Sequence, residues 1–158
     1  MTAITIPPLV TLLARRFLPA TEIPWWVIQH LMLRLIAITS GALGAATSGN
    51  NCTAVGKNAL GTTVDGAQNT AVGTGALAAD CGDNNTAVGS GALDVFTGSN
   101  ATAIGKGAAD AATSATNLTA VGKDALGACD EGLGNTAVGA LAGSAITTGD
   151  YCTFLGYA

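Results

Sequence analysis

A tetrad of the form Thr-Ala-(Val/Ile)-Gly recurs along the chain, and its spacing restricts the possible folds more than any other feature. Its threonines are Thr53, Thr70, Thr86, Thr102, Thr119, Thr136 and Thr153, at intervals of 17, 16, 16, 17, 17 and 17 residues, the last copy reading Thr-Phe-Leu-Gly. A second thread follows each of the first six: Ala59-Leu60, Ala76-Leu77, Ala92-Leu93, Ala108-Ala109, Ala125-Leu126 and Ala142. A repeat of two helices needs roughly 33 residues and a leucine-rich repeat at least about 20, so neither fits this period. One coil of a β-solenoid does.

Thr-Ala-Val reads as a short strand, with Thr and Val on one face and Ala on the other. The glycine after it then permits a bend that a side chain would obstruct. The Ala-Leu thread is expected to form a second short strand, and the Asn/Asp/Gly-rich stretch to close the loop. Equivalent positions would stack at about 4.8 Å, giving ladders of like residues. The aliphatic ladder is Val55, Val72, Val88, Ile104, Val121, Val138 and Leu155; the glycine ladder is Gly56, Gly73, Gly89, Gly105, Gly122, Gly139 and Gly156. At the glycine slot the expectation is a positive φ or a close inter-chain approach. Two three-residue strands enclose little. The Val/Ile and Leu ladders are therefore expected to need cover from outside, most simply from copies of the same chain.

Composition divides the chain in two. All 22 glycines fall at or after Gly41, whereas Pro7, Pro8, Pro19, Pro24, Trp25 and Trp26 all precede Val27. Residues 1–40 carry Arg15, Arg16 and Arg34 against Glu22, a balance of +2; the remainder carries three lysines against nine acids, a balance of −6. The expected organisation is an apolar helical arm over residues 1–40, a linker over 41–49 and a repeat rod over 50–158. An acidic repeat with three lysines is unsuited to nucleic acid, whose phosphates require clustered Arg and Lys.

With these threads in place, "TAVGSGAL" and "TAIGKGAA" resemble the head repeats of trimeric autotransporter adhesins, typified by the Yersinia adhesin head; similar repeats occur in bacteriophage fibre and virion decoration proteins. The resemblance covers residues 50–158. It implies a left-handed parallel β-roll in which three chains pack into one rod, a homotrimer, and a structural rather than enzymatic role. The period here exceeds that of the adhesin heads, so larger loops are expected. The arginines of "MTAITIPPLVTLLARR" follow its apolar run, an order that suits a secretory signal poorly. Neither the signal nor the membrane anchor of the autotransporter version is expected, which favours a virion fibre, spike or decoration protein over a bacterial cell-surface adhesin.

The arm reads as two helices. The first is opened by Pro8 and ends before Pro19; the second has Thr21 as its cap and Gly41 as its stop. Residues 23–38 are apolar but contain His30 and Arg34, and are shorter than the ~20 residues of a membrane span. A core helix would need a globular domain to bury it. The reading adopted is an anchor buried against other virion proteins, with Trp25, Trp26, Leu31 and Leu35 as its contacts. A host-surface receptor is the expected partner of the rod.

No residue set supports catalysis, and no cofactor or metal motif is present. His30 is a single histidine without an acid or thiol near it in sequence. Stacking would put Cys52 and Cys152 on the order of 29 Å apart and Cys81 and Cys129 near 14 Å, beyond the roughly 7 Å Cα limit of a disulfide. Asn51, Asn84, Asn100 and Asn117 match the Asn-x-Thr glycosylation pattern, but the repeat itself places Asn two before Thr, and an amide capping the turn accounts for it. The acids Asp65, Asp80, Asp83, Asp94, Asp110, Asp130, Glu131 and Asp150 are expected on a solvated loop rim. The Thr ladder also raises an ice-binding solenoid, although ice binders usually carry two Thr ranks and here the second rank is Val.

Overall fold

Like residues fall above like residues through the whole repeat. The computed structural model describes residues 37–38, 40–45 and 49–158. Its strands are β1 (Ala37–Ile38), β2 (Thr53–Val55), β3 (Thr70–Val72), β4 (Thr86–Val88), β5 (Thr102–Ile104), β6 (Thr119–Val121), β7 (Thr136–Val138) and β8 (Thr153–Leu155). They form one parallel sheet in sequence order, and from β2 onward Thr pairs with Thr and each Val with the Val, Ile or Leu of the next coil. The fold is a parallel β-solenoid. Consecutive parallel strands need a long connection between them, and here that connection is the rest of the coil.

Within each coil the strand alternates as its sequence dictates. The central alanines Ala54, Ala71, Ala87, Ala103, Ala120 and Ala137 are fully buried, while Thr and Val face away from them. The Ala-Leu thread departs from the expectation of a second strand, because it is a turn. Leu60, Leu77, Leu93 and Leu126 have φ of 50, 48, 52 and 51°, the left-handed region that costs a γ-branched residue about 1–2 kcal/mol. Their side chains are fully buried in the coil, and burial of a leucine at roughly 1.5–3 kcal/mol offsets that strain. The Leu ladder therefore needs no cover from another copy. Alanine on the facing strand explains why so short a coil can close: its side chain lets strand and turn approach until the leucines fill the space.

The glycine slot follows the sequence expectation for φ. Gly89 has φ 142°, and a Cβ there would overlap the carbonyl of Gly105 in the next coil. The close approach is between coils of one chain.

Upstream, β1 corrects the arm. Ala37 and Ile38 pair in parallel register with Ala54 and Val55, so the second helix does not run to Gly41. The Asn58 amide donates to the Ser40 carbonyl, and Leu43 to that of Ala59, which makes residues 40–45 part of a further, degenerate coil where the sequence reading placed the start of a linker. Residues 1–36, with His30 and the proposed contacts Trp25, Trp26, Leu31 and Leu35, lie outside the described residues.

Candidate assembly interface

With alanine and leucine turned inward, the outward strand face carries two parallel ranks, Thr and Val/Ile. Val72, Val88, Ile104 and Val138 are 36, 37, 42 and 38% exposed, and Val55 and Val121 are half-buried. Isolated exposed aliphatics are ordinary, but an in-register column of them is a contiguous apolar stripe. Neither rank contains a charged residue. The stripe extends to Leu155 at 85% exposure, beside the exposed Tyr157.

A polar network runs along the other side of the strands. Asn69, Asn85 and Asn135 occupy the slot immediately before the strand threonine and are fully buried. The Asn69 Oδ1 accepts from the Asn85 amide at 2.8 Å, and the Asn85 Oδ1 from the Ala101 amide at 2.9 Å. Asn85 Nδ2 donates to the carbonyls of Gly82 and Gly98, both at 3.1 Å. Asn135 repeats the arrangement toward Cys152, whose amide donates at 2.9 Å. Each of these amides thus joins its own coil to the next, and a buried amide left without such partners would cost several kcal/mol. The sequence reading gave the cap to the preceding residue. Asn51, Asn84, Asn100 and Asn117 are exposed and have φ of 58, 61, 60 and 55°. Asn suits that slot because it tolerates the left-handed backbone.

The acidic rim is more structured than a solvated edge. Asp80 Oδ1 accepts from the Val64 amide at 2.7 Å, Asp83 Oδ1 from Ala67 at 2.8 Å and Asp150 Oδ1 from Leu133 at 2.8 Å, each reaching back one coil. Asp130 accepts from the Thr113 hydroxyl at 2.6 Å. These carboxylates fasten the loops of successive coils to one another. All four cysteines are free; Cys52, Cys81 and Cys129 are buried and Cys152 half-buried. Burial pushes the Cys81 and Cys129 thiols up, against hydrogen bonds with Thr63 and Asn135 respectively. No group of three or more potential ligands that could hold a metal ion occurs among the described residues.

Sequence reasoning missed two features. The first is the coil at β1, although "SGAL" at residues 40–43 repeats "SGAL" at residues 90–93. The second is a compensation in the last coil. Gly143 stands at the leucine slot, where a Cβ would lie 2.7 Å from Phe154 Cδ2 and 2.9 Å from Leu126 Cδ2. Phe154 stands at the alanine slot opposite Ala137, so a large residue on the strand fills what a small one on the turn leaves. No family model matches the chain, and no match is found among curated proteins or solved structures.

Proposed function

We propose that the chain is a structural protein of a virion: a homotrimeric fibre, spike or decoration protein whose N-terminal arm joins the particle and whose rod projects toward a host surface. The observation that carries the self-association is the uncharged, in-register Val/Ile stripe on a coil whose own core is already closed. A stripe of this kind is best removed from water by a surface of matching period, and another copy of the rod supplies one. The left-handed winding and the number three come from the resemblance of the repeat to adhesin-head and phage-fibre repeats, and belong to this proposal. So does the absence of an enzymatic role. A bacterial cell surface is the alternative location.

Incorporation into the particle tests the division of labour. Deleting residues 1–33, which leaves β1 intact, should yield an associated rod that no longer joins the source assembly, scored by electron microscopy. Normal incorporation of the truncated chain would remove the arm from the account. One observation favours a second reading. The open face presents Thr and Val in parallel ranks about 4.8 Å apart along the stack, a regular spacing of the kind an ice-binding surface uses. Thermal hysteresis by the isolated chain would favour that reading over the fibre.

A further inference from the structure

The residue two before each strand threonine has left-handed backbone in every coil from β2 to β8. These residues are Asn51, Gln68, Asn84, Asn100, Asn117, Gly134 and Tyr151, with φ between 52 and 69°. Backbone alone does not select this set. Glycine serves at Gly134, and it fills the other left-handed slot, past the strand, at Gly75, Gly91 and Gly107. Asparagine visits such backbone through its short side chain, but glutamine has no such habit, so Gln68 keeps a carboxamide where conformation gives no reason for one. All five carboxamides are exposed, and none makes a side-chain hydrogen bond within the described residues. The column ends on an aromatic ring. Tyr151 is 72% exposed, and its Cδ1 and Cε1 lie 2.9 and 3.1 Å from where a Cβ on Gly134 would stand, so the glycine leaves the space in which the ring lies along the column. No charged residue stands in the column, and the adjacent Asp83 and Asp150 accept from the backbone amides of Ala67 and Leu133.

We propose that this column, five carboxamides in line with the Tyr151 ring, is a binding surface for a neutral polysaccharide lying along the rod. Each carboxamide offers two donors and an acceptor in one plane, which suits hydroxyls that both give and accept hydrogen bonds. The tyrosine presents an apolar ring with a polar tip, a platform for the C–H face of a pyranose. The amides recur at about 4.8 Å, so a ligand built of like units meets like groups at successive coils. Contacts that are weak one at a time then add along a single chain. The inference rests on the host-attachment reading and names the class of surface molecule that the rod would meet. The column lies on the far side of the threonine rank from the Val/Ile stripe, which makes the two surfaces separable by experiment.

The experiment is affinity electrophoresis of the full chain in native gels cast with mannan, a galactan, a mixed-linkage β-glucan or, as an anionic comparison, dextran sulfate. At least one neutral gel should retard the chain, and added salt should leave that retardation in place. In that gel, Tyr151→Gly and the pair Asn84→Gly with Asn100→Gly should each lower affinity by about tenfold or more, while Tyr151→Phe should keep it. Glycine suits the left-handed backbone at all three positions, and circular dichroism with sedimentation equilibrium checks that fold and association are unchanged. Retardation by no neutral gel, retardation by dextran sulfate alone, or retardation that the variants leave unaltered overturns the proposal. Any of these results with an associated chain leaves the fibre reading standing. A monomeric chain that a neutral gel retards, and whose variants lose that retardation, sustains the saccharide surface and removes self-association.

Discussion

The strand side and the loop side of each coil solve different problems. On the strand side, one residue type dominates each slot: alanine inside except for Phe154, glycine where the next coil's carbonyl approaches, and leucine in the left-handed turn except at Ala109 and Gly143. On the loop side, one slot is filled by the buried Thr63, Phe96, Ala112 and Cys129, by the half-buried Ile146 and, in the coil of β3, by the exposed Asp80, which share almost no chemistry. There the requirement is volume, and neighbouring coils trade it among themselves. Identity is conserved along the rod where geometry is shared by every coil, and it drifts where only packing must be satisfied.

That contrast gives a ranking of effects. Gly89→Val should be the most damaging change, above about 4 kcal/mol, because it combines a φ of 142° with an overlap against backbone that cannot move away. Thermal unfolding followed by circular dichroism would show it, and a loss no larger than that of Ser90→Val would break the strand-side half of the comparison. Phe96→Ala comes next at about 3–4 kcal/mol, the cost of emptying a fully buried aromatic site. Asn85→Leu should cost about 2 kcal/mol by leaving the Ala101 amide without its acceptor, while the Gly82 and Gly98 carbonyls keep the Asn69 side-chain amide and the Gly82 amide as donors. The exchange of volume in the last coil gives the smallest net effect. Gly143→Leu and Phe154→Ala should each cost about 1–3 kcal/mol, while the double variant should cost less than their sum. Simple additivity in urea unfolding would show that the two residues do not share a site.

How far the sequence could be read follows the same division. The strand positions and the opposition of Ala to Thr and Val follow from the Thr-Ala-Val-Gly spacing, since period two is visible in one-letter code, and the missing Cβ allows the positive φ of the glycine slot. Which strand face turns inward does not follow from the spacing, and it is the alanine face. The turn at Ala-Leu was read as a strand because left-handed backbone is normally announced by Gly, Asn or Asp. Leu60 and Leu93 adopt it only because the closed coil repays the strain through burial. That in turn hid the self-sufficiency of the core and overstated how much of it needs outside cover. The amide ladder was placed one residue early, since Asn84-Asn85 offers two candidates and only the geometry shows which is buried. The β1 coil escapes the sequence pattern because the residues around Ala37-Ile38 read Ile-Ala-Ile-Thr, which has neither the leading Thr nor the closing Gly of the tetrad.

The central claim is that the Val/Ile stripe is a contact between copies, and the mass of the chain in solution tests it most directly. Sedimentation equilibrium should return about 46 kDa, three times the 15.4 kDa of one chain. Val88→Asp, which puts an unpaired charge into the seam at a cost of several kcal/mol, should shift the population toward 15.4 kDa while leaving the coil folded. A wild-type chain that sediments at 15.4 kDa over the whole accessible concentration range, with Val88→Asp indistinguishable from it, would contradict the account.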